Sequence, residues 1–261
     1  MRTYQGSFNY VHRNLGRDLL KLSKEVAVPT WHAENVEGND LLVSRELVQV
    51  SFCCAIPGDQ EDAANVIKPQ MPWAEEHFKE RVSGRPLNPP PSAMKWQKPG
   101  VADKHRTIEE QGDMKYSHSY PERFWPKQAN TGEIPGNTGI RFPYGDLGDV
   151  VDLLRREPLT RQAYLPVWFP EDTGAVQGER VPCTLGYHFM IRNDEVQVSY
   201  MIRSVDFVRH FRDDVYLAVR LAQWMRDEVG GGLKVGYLNM HIMSLHYFAG
   251  DQHWMETHYG E

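Results

Sequence analysis

Cys183 follows a proline, and two cations lie close to it in sequence: Arg180 three residues before and Arg203 twenty residues after (203 − 183). A cysteine beside such charges can hold a thiolate, the nucleophile that adds to electron-poor carbon and forms a covalent intermediate. Taken alone, the same residue is more often a small buried hydrophobe. The intervals argue for chemistry, because Arg203-Ser204-Val205-Asp206 is followed by Asp214, thirty-one residues beyond the cysteine (214 − 183). Other groups fit to move protons or grip an anion are Glu75 and Glu76, Tyr120, Arg161, His241 and Ser244, with Arg45 a weaker candidate. Each has a plainer reading: glutamates on an exposed helix face, a tyrosine packing an aromatic cluster, an arginine closing a helix end, and Asp213 with Asp214 capping the helix that follows them.

The chain must position these groups with 261 residues, 41% hydrophobic, seven tryptophans and a net charge of −6. That is enough to bury one large core, and it supplies no overall basic field for polymeric nucleic acid; a phosphate would need local arginines. The three cysteines, Cys53, Cys54 and Cys183, are odd in number and two are adjacent, which argues against a disulfide framework and for a reducing, cytoplasmic setting. Met1 to Gly16 is polar and aromatic with no apolar leader core, and no run of eighteen apolar residues occurs, so export and membrane insertion are not expected.

Leu41 to Ala55 reads as a buried strand ending at Pro57-Gly58. Trp73 to Val82 reads as a helix stopped at Gly84, before the proline-rich loop 85–100. A second loop, 127–139, precedes a helix over Asp146 to Arg156, where Leu147, Val150, Val151 and Leu154 recur at helical spacing and Pro158 ends the pattern. Tyr187 to Arg192 and Val196 to Arg203 flank Asn193-Asp194 as a β-hairpin, with Cys183 just before its first strand. A helix over Asp213 to Val229 ends at three glycines, and Tyr237 to Tyr247 is the last strand. Residues 1–261 form a single domain in this reading, with 85–100 and 127–139 as insertions.

Pro182-Cys183, Ile202-Arg203-Ser204-Val205-Asp206 and Asp214 at 203 + 11 resemble the active-site core of the thymidylate synthase superfamily. The resemblance implies an α/β (α+β) fold with a mixed central sheet flanked by helices, a homodimer formed through the sheet, and one-carbon transfer to C5 of a pyrimidine nucleoside monophosphate from 5,10-methylenetetrahydrofolate, without a metal. It implies that Cys183 adds to C6, that Arg203 and Ser204 bind phosphate, and that Asp206 bonds near the base. Pro158 to Ala163 is similar to the segment that crosses the dimer interface, so Arg161 would reach the partner's phosphate, although Gln162 replaces a second arginine. Tyr120 is similar to the tyrosine that helps remove the C5 proton, and the helix from Trp73 to the glutamate that orders water, with Glu75 and Glu76 equally placed. Met240 to His246 resembles the sugar-binding segment: His241 matches, Met243 stands where a tyrosine is usual, and Ser244 is a possible substitute.

Asp214 points to the base. The family usually places an asparagine there, whose amide suits uracil, whereas a carboxylate only accepts and so suits the N4 amino group of cytosine and a proton held at N3. A buried mismatch costs about 1–3 kcal/mol, roughly ten- to hundred-fold in discrimination. Phage-type deoxycytidylate hydroxymethylases carry aspartate at this position, and dCMP is the expected substrate. The chain ends fifteen residues after His246 (261 − 246) in polar Thr257 to Glu261, and an open site lets water rather than hydride quench the product, giving hydroxymethyl. CMP hydroxymethylation, methyl transfer to dCMP, reaction with dUMP, and a non-catalytic nucleotide-binding dimer remain open as alternatives.

Overall fold

The computed structural model describes residues 2–31, 34–95, 116, 118–129, 145–173 and 181–260. Of the loop at 85–100, residues 85–95 are described, with a 3-10 turn at Pro91–Lys95; of the loop at 127–139, residues 127–129 are described, within a short helix at Pro126–Ala129; the rest of both lies outside the described residues.

The chain opens with β1 (Arg2–Gln5) and α1 (Phe8–Leu22), the latter capped by the Ser7 side chain, which accepts from the backbone N–H of Tyr10. Phe8, Val11, Leu15 and Leu19 give α1 one buried face. After β2 (Lys24–Val26), two two-residue strands, β3 (Thr30–Trp31) and β4 (Glu34–Asn35), pair with each other alone. The long β5 (Ser44–Ala55) leads to α2 (Gln60–Ile67) and α3 (Trp73–Arg81). Then come α4 (Tyr120–Phe124), α5 (Pro126–Ala129), α6 (Leu147–Arg156) and β6 (Tyr164–Pro166). The chain continues through β7 (Thr184–Arg192), β8 (Glu195–Asp206), α7 (Phe211–Val229), β9 (Lys234–Phe248) and α8 (Gln252–Tyr259).

Seven strands form one mixed sheet in the order β1-β5-β9-β8-β7-β6, with β2 also on β5. The β1–β5 and β8–β9 pairs are parallel and the others antiparallel. Along β8, Val196, Val198, Tyr200 and Ile202 are fully buried while the residues between them are half-buried, which is the alternation of a sheet with its helices on one face. Helices α1 and α7 pack against β5, β8 and β9, and one continuous core joins them. This mixed sheet with flanking helices is consistent with the thymidylate synthase fold.

The expected strands and helices appear with ends shifted by a few residues. Asn193 and Asp194 both take positive φ (54° and 59°), the left-handed pair that a two-residue hairpin turn requires. Sequence periodicity did not reveal α1, α2 or α8. Among the described residues, no helix is long and apolar enough to cross a membrane.

Candidate active site

The β7–β8 hairpin delivers Cys183. Its carbonyl accepts from the backbone N–H of Arg203 (2.8 Å), and the Arg203 side chain donates from Nε to Pro182 O (3.0 Å) and from Nη2 to Val181 O (3.2 Å). Arg203 thus clamps the approach to the cysteine and sets a cation beside it. Cys183 is half-buried and makes no disulfide. The ladder shifts register between Thr184 and Gly186, and a Cβ at 186 would lie 2.7 Å from Leu165 O, so only glycine admits β6 this close. Arg180 lies outside the described residues.

Tyr120 begins α4, whose capping box joins Ser119 and Glu122. Asn88 fixes this turn by donating to Tyr116 O and Glu122 Oε2 (both 2.8 Å), and Ser119 Oγ donates to Leu87 O (2.6 Å). A buried bidentate pair between Arg123 and Asp172 (2.9 and 2.8 Å) and a bond from Trp125 Nε1 to Arg81 O (2.8 Å) lock α4 against its neighbours. The Tyr120 hydroxyl accepts from Thr184 Oγ1 at 3.3 Å, and Thr184 Oγ1 also lies 2.9 Å from Tyr200 Oη. Thr184, which anchors this hydroxyl chain, immediately follows the cysteine in sequence. Tyr187 stacks on Tyr200 with centroids 4.5 Å apart.

Burial raises the pKa of Tyr120, and the charges of Cys183 and Asp214 raise it further, while Arg81 and the Thr184 bond act in the opposite sense. Burial likewise pushes Tyr187 up to about 12 and Tyr200 well above the usual phenol value, with Asp214 contributing to both. Cys183, Asp214 and the three phenols therefore share one electrostatic neighbourhood.

Asp214 lies in the first turn of α7, but the helix has no side-chain cap bond. Its neighbour Asp213 is the buried scaffold residue, accepting from the backbone N–H of Gln70 at 2.7 Å. Both acids stand in the first turn of α7, where a carboxylate favours the helix dipole. Asp206 closes the β8–α7 turn: its carboxylate accepts from the backbone N–H groups of Val208 and Arg209 (3.0 Å each) and from Arg209 Nη1 (3.1 Å).

Helix α3 sends neither glutamate to the cluster. Glu75, buried, accepts from Tyr216 Oη (2.8 Å) and from Arg220 Nε and Nη2 (2.9 and 3.1 Å) on α7. Glu76 sits at the surface with Lys95 Nζ (2.9 and 3.0 Å). The physical reason is helix phase. Residues 77 and 81, one turn apart, are the ones that meet Tyr120: the Arg81 guanidinium carbon lies 3.9 Å from its ring centroid, and the His77 ring meets it edge-on at 6.4 Å.

On β9, His241 Nδ1 is 3.0 Å from Ser51 Oγ and pairs beside Met201; Ser204 pairs beside Ser244, whose Oγ donates to Glu46. Arg161 is exposed, and its carbonyl lies 3.0 Å from His188 Nε2. Arg45 forms a surface pair with Glu25 (2.7 Å). Sequence reasoning missed Arg81, His77, Thr184, Tyr187 and Tyr200. Adjacency to Cys183 was the available signal for Thr184, and the four-residue spacing of His77 and Arg81 was the signal for that pair.

No protein-family model matches the chain. It is 30% identical over 150 residues to a protein of Methanococcoides burtonii named "Putative thymidylate synthase", across 53% of this chain and 66% of that one. Proteins of the same name from Methanosarcina barkeri and Methanosarcina mazei are 27% and 26% identical over 108 residues, 41% of this chain and 48% of each. The chain thus matches less than two thirds of the first relative's length and about half of the other two. With the mixed sheet, these relatives support the thymidylate synthase superfamily as the class of this protein.

Proposed function

We propose that this chain transfers a one-carbon unit to C5 of a pyrimidine nucleoside monophosphate, with dCMP as substrate, 5,10-methylenetetrahydrofolate as donor and the 5-hydroxymethyl nucleotide as product. The observation that carries this reading is that buried Tyr120, bonded to Thr184 next to Cys183 in the chain, feels the charges of both Cys183 and Asp214. In this reading the Cys183 thiolate bonds to C6, the C5–C6 double-bond pair moves toward N3, and N3 takes a proton held by Asp214, whose other oxygen accepts from N4–H. C5, now enamine-like, bonds to the one-carbon unit; Tyr120 oxygen takes the C5 proton, the bond from that carbon to the donor nitrogen breaks, water adds to the carbon to give hydroxymethyl, and the sulfur leaves as the C5–C6 double bond re-forms. The folate, when bound, supplies the electrophilic carbon, and the half-buried Trp73 and Trp168 offer flat faces suited to a pterin.

Among the described residues Arg203 spends Nε and Nη2 on carbonyls, which leaves Nη1 to face a phosphate oxygen, and a second copy of the chain would bring Arg161 to the same phosphate. The half-buried sheet face bearing Met201, His241 and Met243 is the surface on which that copy would pack. His241 and Ser244 would border the sugar, with Ser204 beside Ser244.

The test is tritium release from C5-labelled dCMP, dUMP and CMP, each with the folate, followed by mass analysis of the product. We expect release from dCMP, its loss in Cys183→Ala with nucleotide affinity retained, and a hydroxymethyl product. Release from dUMP alone would overturn the cytosine assignment, and a methyl product the hydroxymethyl one. No release from any nucleotide would leave a nucleotide-binding dimer.

A further inference from the structure

Arg81 is only 5% exposed, yet among the described residues its guanidinium has no carboxylate partner and its Nε no hydrogen bond. Burying an uncompensated cation is strongly unfavourable, so a site that retains one is built to meet an anion. The single bond it makes, from Nη2 to His77 Nε2 (3.0 Å), places the His77 proton on Nδ1, which lies 3.0 Å from Ser92 Oγ; Ser92 in turn donates to Glu80. Burial, with the Arg81 charge, pushes the His77 pKa down to about 4, so the imidazole is a neutral clamp at pH 7. That charge rests 3.9 Å from the Tyr120 ring centroid.

The titratable groups facing Tyr120 are His77 and Arg81 from α3, His118 before α4, Cys183 before β7, Tyr187 of β7, Tyr200 of β8 and Asp214 of α7. Arg81 is the cation among them on the α3 side, and Cys183 is the anion that chemistry removes.

We propose that Arg81 is a positioning residue that times Tyr120: once Cys183 has bonded to the pyrimidine, the stacked guanidinium stabilises the Tyr120 phenolate that accepts the C5 hydrogen. This rests on the function proposed above. The thiolate lone pair forms the S–C6 bond, so the sulfur becomes a neutral thioether and its negative charge leaves the neighbourhood of Tyr120. The Arg81 cation stays. The phenol proton passes to water, the C5 proton then bonds to the phenolate oxygen, and its bonding pair remains with C5. A guanidinium cannot itself take that proton, because it stays protonated throughout. Placing Arg81, and not a glutamate, on this side of the base therefore assigns proton removal to Tyr120.

The test is folate-free exchange of C5 tritium from dCMP, read against pH, in the wild type, Arg81→Met, Arg81→Lys, Tyr120→Phe and the double variant Arg81→Met/Tyr120→Phe. We expect Arg81→Met to slow exchange about a hundred-fold and move the alkaline rise of the rate to higher pH, with the dCMP dissociation constant changed less than about threefold. Arg81→Lys should recover part of the rate. In the Tyr120→Phe background, Arg81→Met should cost less than about threefold more, because both changes remove the same step. Fully additive losses, or an unshifted pH rise in Arg81→Met, would overturn the assignment. Where Arg81→Met does not fold, the same cycle run with Arg81→Lys and Arg81→Gln decides. A wild type without exchange removes the parent reading and this one together, whereas wild-type exchange with additive losses removes Arg81 alone.

Discussion

Replacing Glu75 by glutamine separates a scaffold from a catalyst. Its carboxylate takes three bonds, from Tyr216 Oη and from Nε and Nη2 of Arg220, in a setting where the two ionic side chains are 6% and 15% exposed. Removing one partner of a buried ion pair costs about 3–5 kcal/mol, because the remaining charge is left uncompensated. Here the low end applies. The glutamine oxygen still accepts one bond, Arg220 Nη1 keeps Gln223 Oε1 at 2.7 Å, and the guanidinium lies over Phe78 at 4.7 Å. A loss of about 3 kcal/mol, at roughly 2–4 °C per kcal/mol for a domain of this size, lowers Tm by about 6–12 °C. Calorimetry on Glu75→Gln should show that drop, and C5 exchange per folded molecule at 20 °C should stay within about threefold of wild type. A Tm within about 2 °C of wild type together with exchange lost a hundred-fold would refute the reasoning and return Glu75 to the chemistry. Glu76→Gln, which breaks only an exposed pair with Lys95, is the matched control and should change Tm by less than about 2 °C.

Asp214→Asn should turn the preference from cytosine toward uracil: relative exchange of dUMP over dCMP rises roughly ten- to hundred-fold, and an unchanged ratio in a folded variant would show that this side chain does not read the base. Stability should fall as the solution is acidified, because burial holds His12 at about 3 and His77 at about 4, both below the ordinary histidine value of 6.5. The unfolded chain takes up these protons first, so the stability is complete above pH 6.5 and is lost as pH falls toward those values. At pH 5 each histidine removes about 2 kcal/mol, and the urea midpoint should fall between pH 7 and pH 5, less steeply in His12→Asn. A flat midpoint would contradict the burial argument.

The sequence was most legible where a function depends on local geometry. Cys183 and Arg203 stand twenty residues apart because two strands and a two-residue turn bring the chain back on itself, so that Arg203 N–H reaches Cys183 O; the interval is a register written in the sequence. Asp214 was legible for a similar reason, lying one turn into the helix that follows β8. The apolar spacing of 147, 150, 151 and 154 likewise marked α6 from its own buried face. By contrast α1 and α8, whose Gly16 and Tyr259 fit against each other, derive their stability from packing between distant segments, and local patterning did not mark them.

The choice among the residues of α3 belonged to the tertiary structure. A helix periodicity shows that Glu75, Glu76, His77 and Arg81 share a helix, but which of them meets Tyr120 depends on how α3 lies against α7 and α4. Arg220 and Tyr216 draw Glu75 away, solvent and Lys95 take Glu76, and the remaining face presents Arg81 and His77. The sequence by itself marked Cys183, Arg203 and Asp214 as a group, because short-range backbone geometry sets their spacing. Only the packing of distant elements decided which charge stands over the tyrosine, since burial and ion pairing between segments more than a hundred residues apart select the helix face.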